Sequence, residues 1–128
     1  MMDDQPKAEA KIGLVLDSAD PEALGEFWAQ ALGLQRLGAA GNYVLLASPS
    51  GALPKLLLQK VAEPKATKNR MHLDIETPDV DNEVERLEAI GARRIENEPR
   101  NEHGNQWLVM ADPEGNEFCG CDGGASAT

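Results

Sequence analysis

Two stretches of the chain alternate apolar and polar residues in the same way. In Lys11–Asp17 the apolar parity is Ile12, Leu14 and Leu16; in Met71–Glu76 it is Met71, Leu73 and Ile75. A period of two belongs to a strand with one face against a core. Each stretch runs into a helical spacing. Leu24, Phe27, Trp28, Ala31 and Leu32 recur on one stripe, with Asp20 placed as N-cap, Pro21 at the first helical position and Gly33 as the stop. The second stripe is Val80, Val84, Leu87 and Ile90, with Asp79 before it and Gly91 after it. Strands around Leu34–Leu37 and Ala92–Ile95 are expected next, followed by others at Lys55–Val61 and Glu117–Cys121.

The two halves also match in sequence. G-L-V-L-D-S-A-D (Gly13–Asp20) lies over H-L-D-I-E-T-P-D (His72–Asp79), and Y-V-L-L-A-S-P-S-G (Tyr43–Gly51) over W-L-V-M-A-D-P-E-G (Trp107–Gly115). Two matched blocks in one order indicate a duplication. The extra length of the second copy is accommodated in the loop Asn97–Asn105. The chain therefore reads as a single α+β domain over residues 11–121, built of tandem β-α-β-β-β modules at 11–62 and 70–121. The segments 1–10 and 122–128 are expected to be flexible ends. Eight strands should form two curved mixed sheets around a cleft, with both helices outside.

Alternation also says where chemistry can lie. A helix covers one face of such a sheet, so the other face lines water or a cavity. That face carries Gly13, Val15 and Asp17 in the first copy, but His72, Asp74 and Glu76 in the second. On the closing strands Leu57, Gln59, Glu117, Cys119 and Cys121 share the cavity parity, as do Tyr43 and Trp107 on their own strands. Trp28, by contrast, belongs to the helix stripe and reads as core. The expected ligand pocket is thus Tyr43, Leu57, Gln59, His72, Trp107, Glu117 and Cys119. His72, Asp74 and Glu76 are the candidates for acid–base catalysis; a solvated row of polar side chains is the plainer reading. His103, in N-E-H-G-N, is either a lid residue or an ordinary surface one.

The order β-α-β-β-β twice, the Asp ending the first strand and the D-P-E-G-N turn before the last strand resemble the vicinal-oxygen-chelate superfamily, which includes glyoxalases, bleomycin-resistance proteins and dioxygenases. D-P-E-A-L-G-E-F-W, L-L-L-Q-K-V-A-E-P-K-A-T-K-N-R-M-H-L-D and A-D-P-E-G-N-E-F-C resemble a bacterial glyoxalase-like branch whose members mostly lack an assigned reaction. The resemblance implies four metal positions, which fall here on Gly13, Gln59, His72 and Cys119. A divalent ion needs three or four anionic or imidazole donors. Only His72 and Cys119 are such donors, so no metal site and no other cofactor is expected.

Charge narrows the partner. Twelve Lys and Arg against 22 Asp and Glu give a formal charge of -10, which repels nucleic acid and anionic lipid. A neutral or cationic small molecule is the expected ligand, and neither nucleic acid nor a membrane is an expected partner. The polar start and the absence of a long apolar run point to the cytoplasm. There Cys119 and Cys121 stay reduced. Two open sheets leave edges to be covered, which favours a homodimer. Three functions remain in view: a binding or sequestering protein, a glyoxalase-type lyase or isomerase with an unusual or metal-free site, and a structural or regulatory module with a vestigial pocket.

Overall fold

Eleven elements follow one another in the computed structural model, which describes residues 9–122. The expectation for the ends at 1–8 and 123–128 lies outside the described residues. In the first half come β1 (Gly13–Ser18), α1 (Pro21–Leu32), β2 (Gln35–Ala40), β3 (Tyr43–Ala47) and β4 (Lys55–Lys60). In the second come β5 (Asp74–Glu76), α2 (Val80–Ala89), β6 (Arg93–Arg94), β7 (Arg100–Glu102), β8 (Asn105–Ala111) and β9 (Glu117–Cys121). The first sheet has the order β1-β4-β3-β2; the second has β5-β9-β8-β6, with β7 also on β8. Both are mixed, because β1 runs parallel to β4 and β5 parallel to β9 while the other pairs are antiparallel. This is the α+β architecture of paired β-α-β-β-β modules.

Helix starts and stops follow the local chemistry. Asp20 accepts from the Ala23 N–H and Asp79 from the Asn82 N–H, each satisfying one free donor of a first turn. Gly33 closes α1 with φ of 69°, a conformation that costs glycine little. The apolar stripes, Leu24, Phe27, Trp28 and Ala31 on α1 and Val80, Val84 and Leu87 on α2, join Leu46, Leu56, Leu58, Leu108, Met110 and Phe118 in one core cluster. That core crosses the duplication: the Phe118 ring lies 5.1 Å from Trp28 and 6.2 Å from Phe27. Burying a side chain of this size contributes about 1.5–3 kcal/mol.

Polar contacts also tie the halves together. Glu114 accepts from Ser18 Oγ at 2.6 Å, the Ala19 N–H at 2.8 Å and the Asp20 N–H at 3.2 Å. Buried Asp112 accepts from Trp28 Nε1 at 3.0 Å and is enclosed by donors from Glu114 and Asn116. Arg86 on α2 donates to the carbonyls of Gln30 and Ala31 at the end of α1.

Three expectations change. Nine strands, not eight, occur among the described residues, because the loop Asn97–Asn105 contains β7. His103 and Gly104, with φ of 53° and 79°, make the tight turn from β7 into β8. The strand expected over Ala92–Ile95 is reduced to Arg93–Arg94. Ile12 and Met71 are not under the helices but 64% and 73% exposed, since β1 and β5 begin only at Gly13 and Asp74.

Candidate functional site

The open faces of the two sheets carry matched rows of side chains. Across β1, β4 and β3 stand Val15, Leu57 and Leu45, and next to them Asp17, Gln59 and Tyr43. Across β5, β9 and β8 stand Asp74, Cys119 and Val109, and then Glu76, Cys121 and Trp107. Side chains in one row are neighbours about 5 Å apart from strand to strand. The first row is thus apolar in one half and polar in the other.

The polar rows line a hollow of about 470 Å³ bounded by His72, Asp74, Glu76, Trp107, Val109, Cys119, Cys121, Asn105, Gln106 and Asp122. Three carboxylates and one imidazole face it, with no lysine or arginine among its walls. His72 Nε2 lies 3.2 Å from Asp74 Oδ1, so the carboxylate orients the ring. Burial pushes the Cys119 thiol up to about 11, and the nearby Asp74 charge adds to this. The group is accordingly a neutral thiol at pH 7, suited to lining a wall rather than attacking an electrophile.

The residues expected to line one pocket are divided. His72, Trp107 and Cys119 meet in the hollow just described, together with Asp74 and Glu76. Tyr43 and Leu57 line a shallow apolar hollow on the first sheet, beside Leu37 and Leu45. Gln59 stands between Asp17 and Tyr43 in its row. Glu117 faces the seam between the sheets, paired with Lys65 Nζ at 3.0 Å. That bond, more than any other contact, lowers the Glu117 pKa. Trp28 lies in the core, and its indole N–H is spent on Asp112.

Sequence reasoning missed Asn105, Gln106, Val109 and Asp122 as walls of this site. Asp122 stands one residue beyond the expected domain end, where its carboxylate accepts from the Gln106 N–H at 3.0 Å. The alternation of β8 carried a signal for Val109, which shares its parity with Trp107.

The four positions implied for a metal are not all brought together as donors. Gly13 has no donor atom and Gln59 belongs to the other sheet, which leaves His72 and Cys119. Asp74 brings a third donor into reach, so that atoms of His72, Asp74 and Cys119 lie within 4.8 Å of one another. A metal bound there would have to displace the Cys119 proton, which burial holds up to about 11.

Comparison with known proteins agrees with this architecture. The family model described as a glyoxalase-like domain matches residues 13–121. A glyoxalase/bleomycin resistance protein/dioxygenase family enzyme from Burkholderia phytofirmans PsJN superposes with a TM-score of 0.69 at 20% identity, over 84% of this chain and 94% of that one. A glyoxalase/bleomycin resistance protein/dioxygenase from Nocardioides gives 0.70 at 19% identity, over 92% and 85%. TioX from Micromonospora sp. ML1 gives 0.60 at 17% identity, over 88% and 98%. At such identities the likeness is one of fold. No curated protein matches the chain.

Proposed function

Because the chain belongs to the glyoxalase-like domain family, we propose that it binds a small neutral or cationic molecule on the open face of its second sheet and sequesters it without a complete catalytic metal site. The observation that carries this reading is the composition of the 470 Å³ hollow: carboxylates from Asp74, Glu76 and Asp122 beside the Trp107 ring, with no lysine or arginine among its walls. Carboxylates attract a cation, and an indole face stacks on an aromatic or a delocalised cation. A volume in this range suits a small organic ligand.

The test uses three isosteres that differ in charge: benzamidine, benzamide and benzoate. Trp107 fluorescence should report binding in that order of affinity, with the spread narrowing as salt is raised. Trp107→Ala should weaken benzamidine binding by about 1–3 kcal/mol. Benzoate binding as tightly as benzamidine would overturn the reading.

A second reading, a lyase or isomerase of glyoxalase type, draws on the His72–Asp74 pair. An oriented imidazole beside a bound ligand can move a proton. Under that reading His72→Ala abolishes turnover while benzamidine still binds. The protein works, on either reading, as a cytoplasmic homodimer; sedimentation showing only monomer at tens of micromolar would count against the dimer. Among the described residues no helix is long and apolar enough to cross a membrane.

A further inference from the structure

A different hollow lies where the two sheets meet. It measures about 250 Å³ and is walled by Leu14, Leu16 and Leu56 from one half and Leu73 and Phe118 from the other, with the Trp28 ring behind. Its origin is local. Among the described residues β1 is bonded only to β4 and β5 only to β9, so no ladder joins the two edges. The chain through Met71–Leu73 passes this seam before β5 begins at Asp74.

We propose that this seam is a second binding site, for an uncharged, flat, apolar compound about the size of one or two aromatic rings. Size supports it: an enclosed apolar cavity of about 150 Å³ takes up benzene, and this hollow, open to solvent on one side, measures about 250 Å³. Charge supports it too. The only carboxylate on its walls, Glu117, is already neutralised by Lys65 at 3.0 Å, so neither a cation nor an anion gains a free partner there. Asn69, which donates to the Glu117 carbonyl at 3.4 Å, and His72 stand at the rim, where one polar substituent can be read. The exposed edges of β1 and β5 offer further backbone donors and acceptors. This site differs in chemistry from the acidic hollow and does not depend on it, although His72 borders both.

The two tryptophans of the chain separate the sites, because Trp28 lines the seam and Trp107 the acidic hollow. Toluene is the probe. In ¹H–¹⁵N spectra of the full chain it should shift the Trp28 indole resonance saturably, in ¹H–¹³C spectra the methyls of Leu14, Leu16 and Leu56, and leave Trp107 in place. Leu14→Trp should plug the seam, weakening toluene binding about tenfold or more, while the Trp107 response to benzamidine is kept. Leu14→Phe, a smaller plug, serves if Leu14→Trp does not fold. A Trp28 resonance unmoved by water saturated with toluene would overturn the proposal. So would undiminished binding in a folded Leu14 variant. Failure of benzamidine at Trp107 leaves this result untouched and tells against the acidic site alone.

Discussion

Glu114→Ala should be among the most costly single changes outside the apolar core. The side chain accepts three hydrogen bonds from the other half of the chain, at Ser18 Oγ, Ala19 N and Asp20 N. Ser18 is 1% exposed, so its hydroxyl would lose an acceptor that water cannot readily replace. Hydrogen bonds to a charged group contribute about 1.5–3 kcal/mol each, less where solvent competes, as at Ala19 and Asp20. The expected loss is about 2–4 kcal/mol, which for a domain of this size lowers the melting temperature by roughly 8–20 °C. Removing one negative charge from a chain of formal charge -10 acts in the opposite direction, so repulsion cannot be the source of the loss. The duplication supplies the control. Ser50 occupies the matched turn position, but its hydroxyl meets only Ser48 Oγ and the Ala52 N–H on the exposed surface. Ser50→Ala should change stability by less than about 0.5 kcal/mol. Urea unfolding of both variants, with a Ser18→Ala/Glu114→Ala cycle expected to show coupling of about 1–2 kcal/mol, measures all of this. Equal effects of Glu114→Ala and Ser50→Ala would refute the reasoning.

Cys119 should resist iodoacetamide at pH 8 in the folded chain and react more readily as the pH approaches its raised value of about 11. A thiol whose pKa is raised by folding contributes stability that is present below its unfolded value of about 8.5 and declines as pH rises through the folded one. Cys119→Ala should therefore flatten the loss of stability between about pH 8.5 and 11, read by denaturant midpoints. Lowered by Lys65, the Glu117 pKa works the other way. Its contribution is present above the usual carboxylate range and fades as the pH falls through the folded value, so Lys65→Met should reduce stability at pH 7 more than at pH 3. Elemental analysis of purified protein should find zinc, nickel, iron and manganese well below stoichiometric; a full equivalent lost on His72→Ala would overturn the judgement on the metal site.

Much of the architecture was readable because two periodicities alternate along the chain. Leu56, Leu58 and Phe118 sit on the parity assigned to the core and are buried, while Asp74, Glu76 and Trp107 sit on the other and line the acidic hollow. Parity says which face a residue takes, but not how far along or across a sheet it stands. Tyr43 and Leu57 therefore fell on the open side as expected yet line a different hollow from His72. β7 escaped notice because its turn uses His103 with Gly104, where asparagine or aspartate before glycine would have signalled a hairpin. Asp112 and Glu114 looked like turn chemistry and nothing more. Their decisive partners are 84 to 96 residues away, a separation that no local pattern encodes.

The contacts that Glu114 and Arg86 make with α1 also have an electrostatic meaning. The amino end of a helix carries partial positive charge and the carboxyl end partial negative charge. Glu114 brings an anion to the chain entering α1, and Arg86 brings a cation to the carbonyls at its exit. α1 itself has no basic residue in its last turn. Both ends of the first helix are thus complemented by side chains encoded in the second copy. A protein assembled from two similar halves has in this way given up the independence of one of them. Opening the seam strips α1 of its counter-charges as well as its packing, so amide protons in α1 should exchange together with those of β8 and β9, in one concerted event.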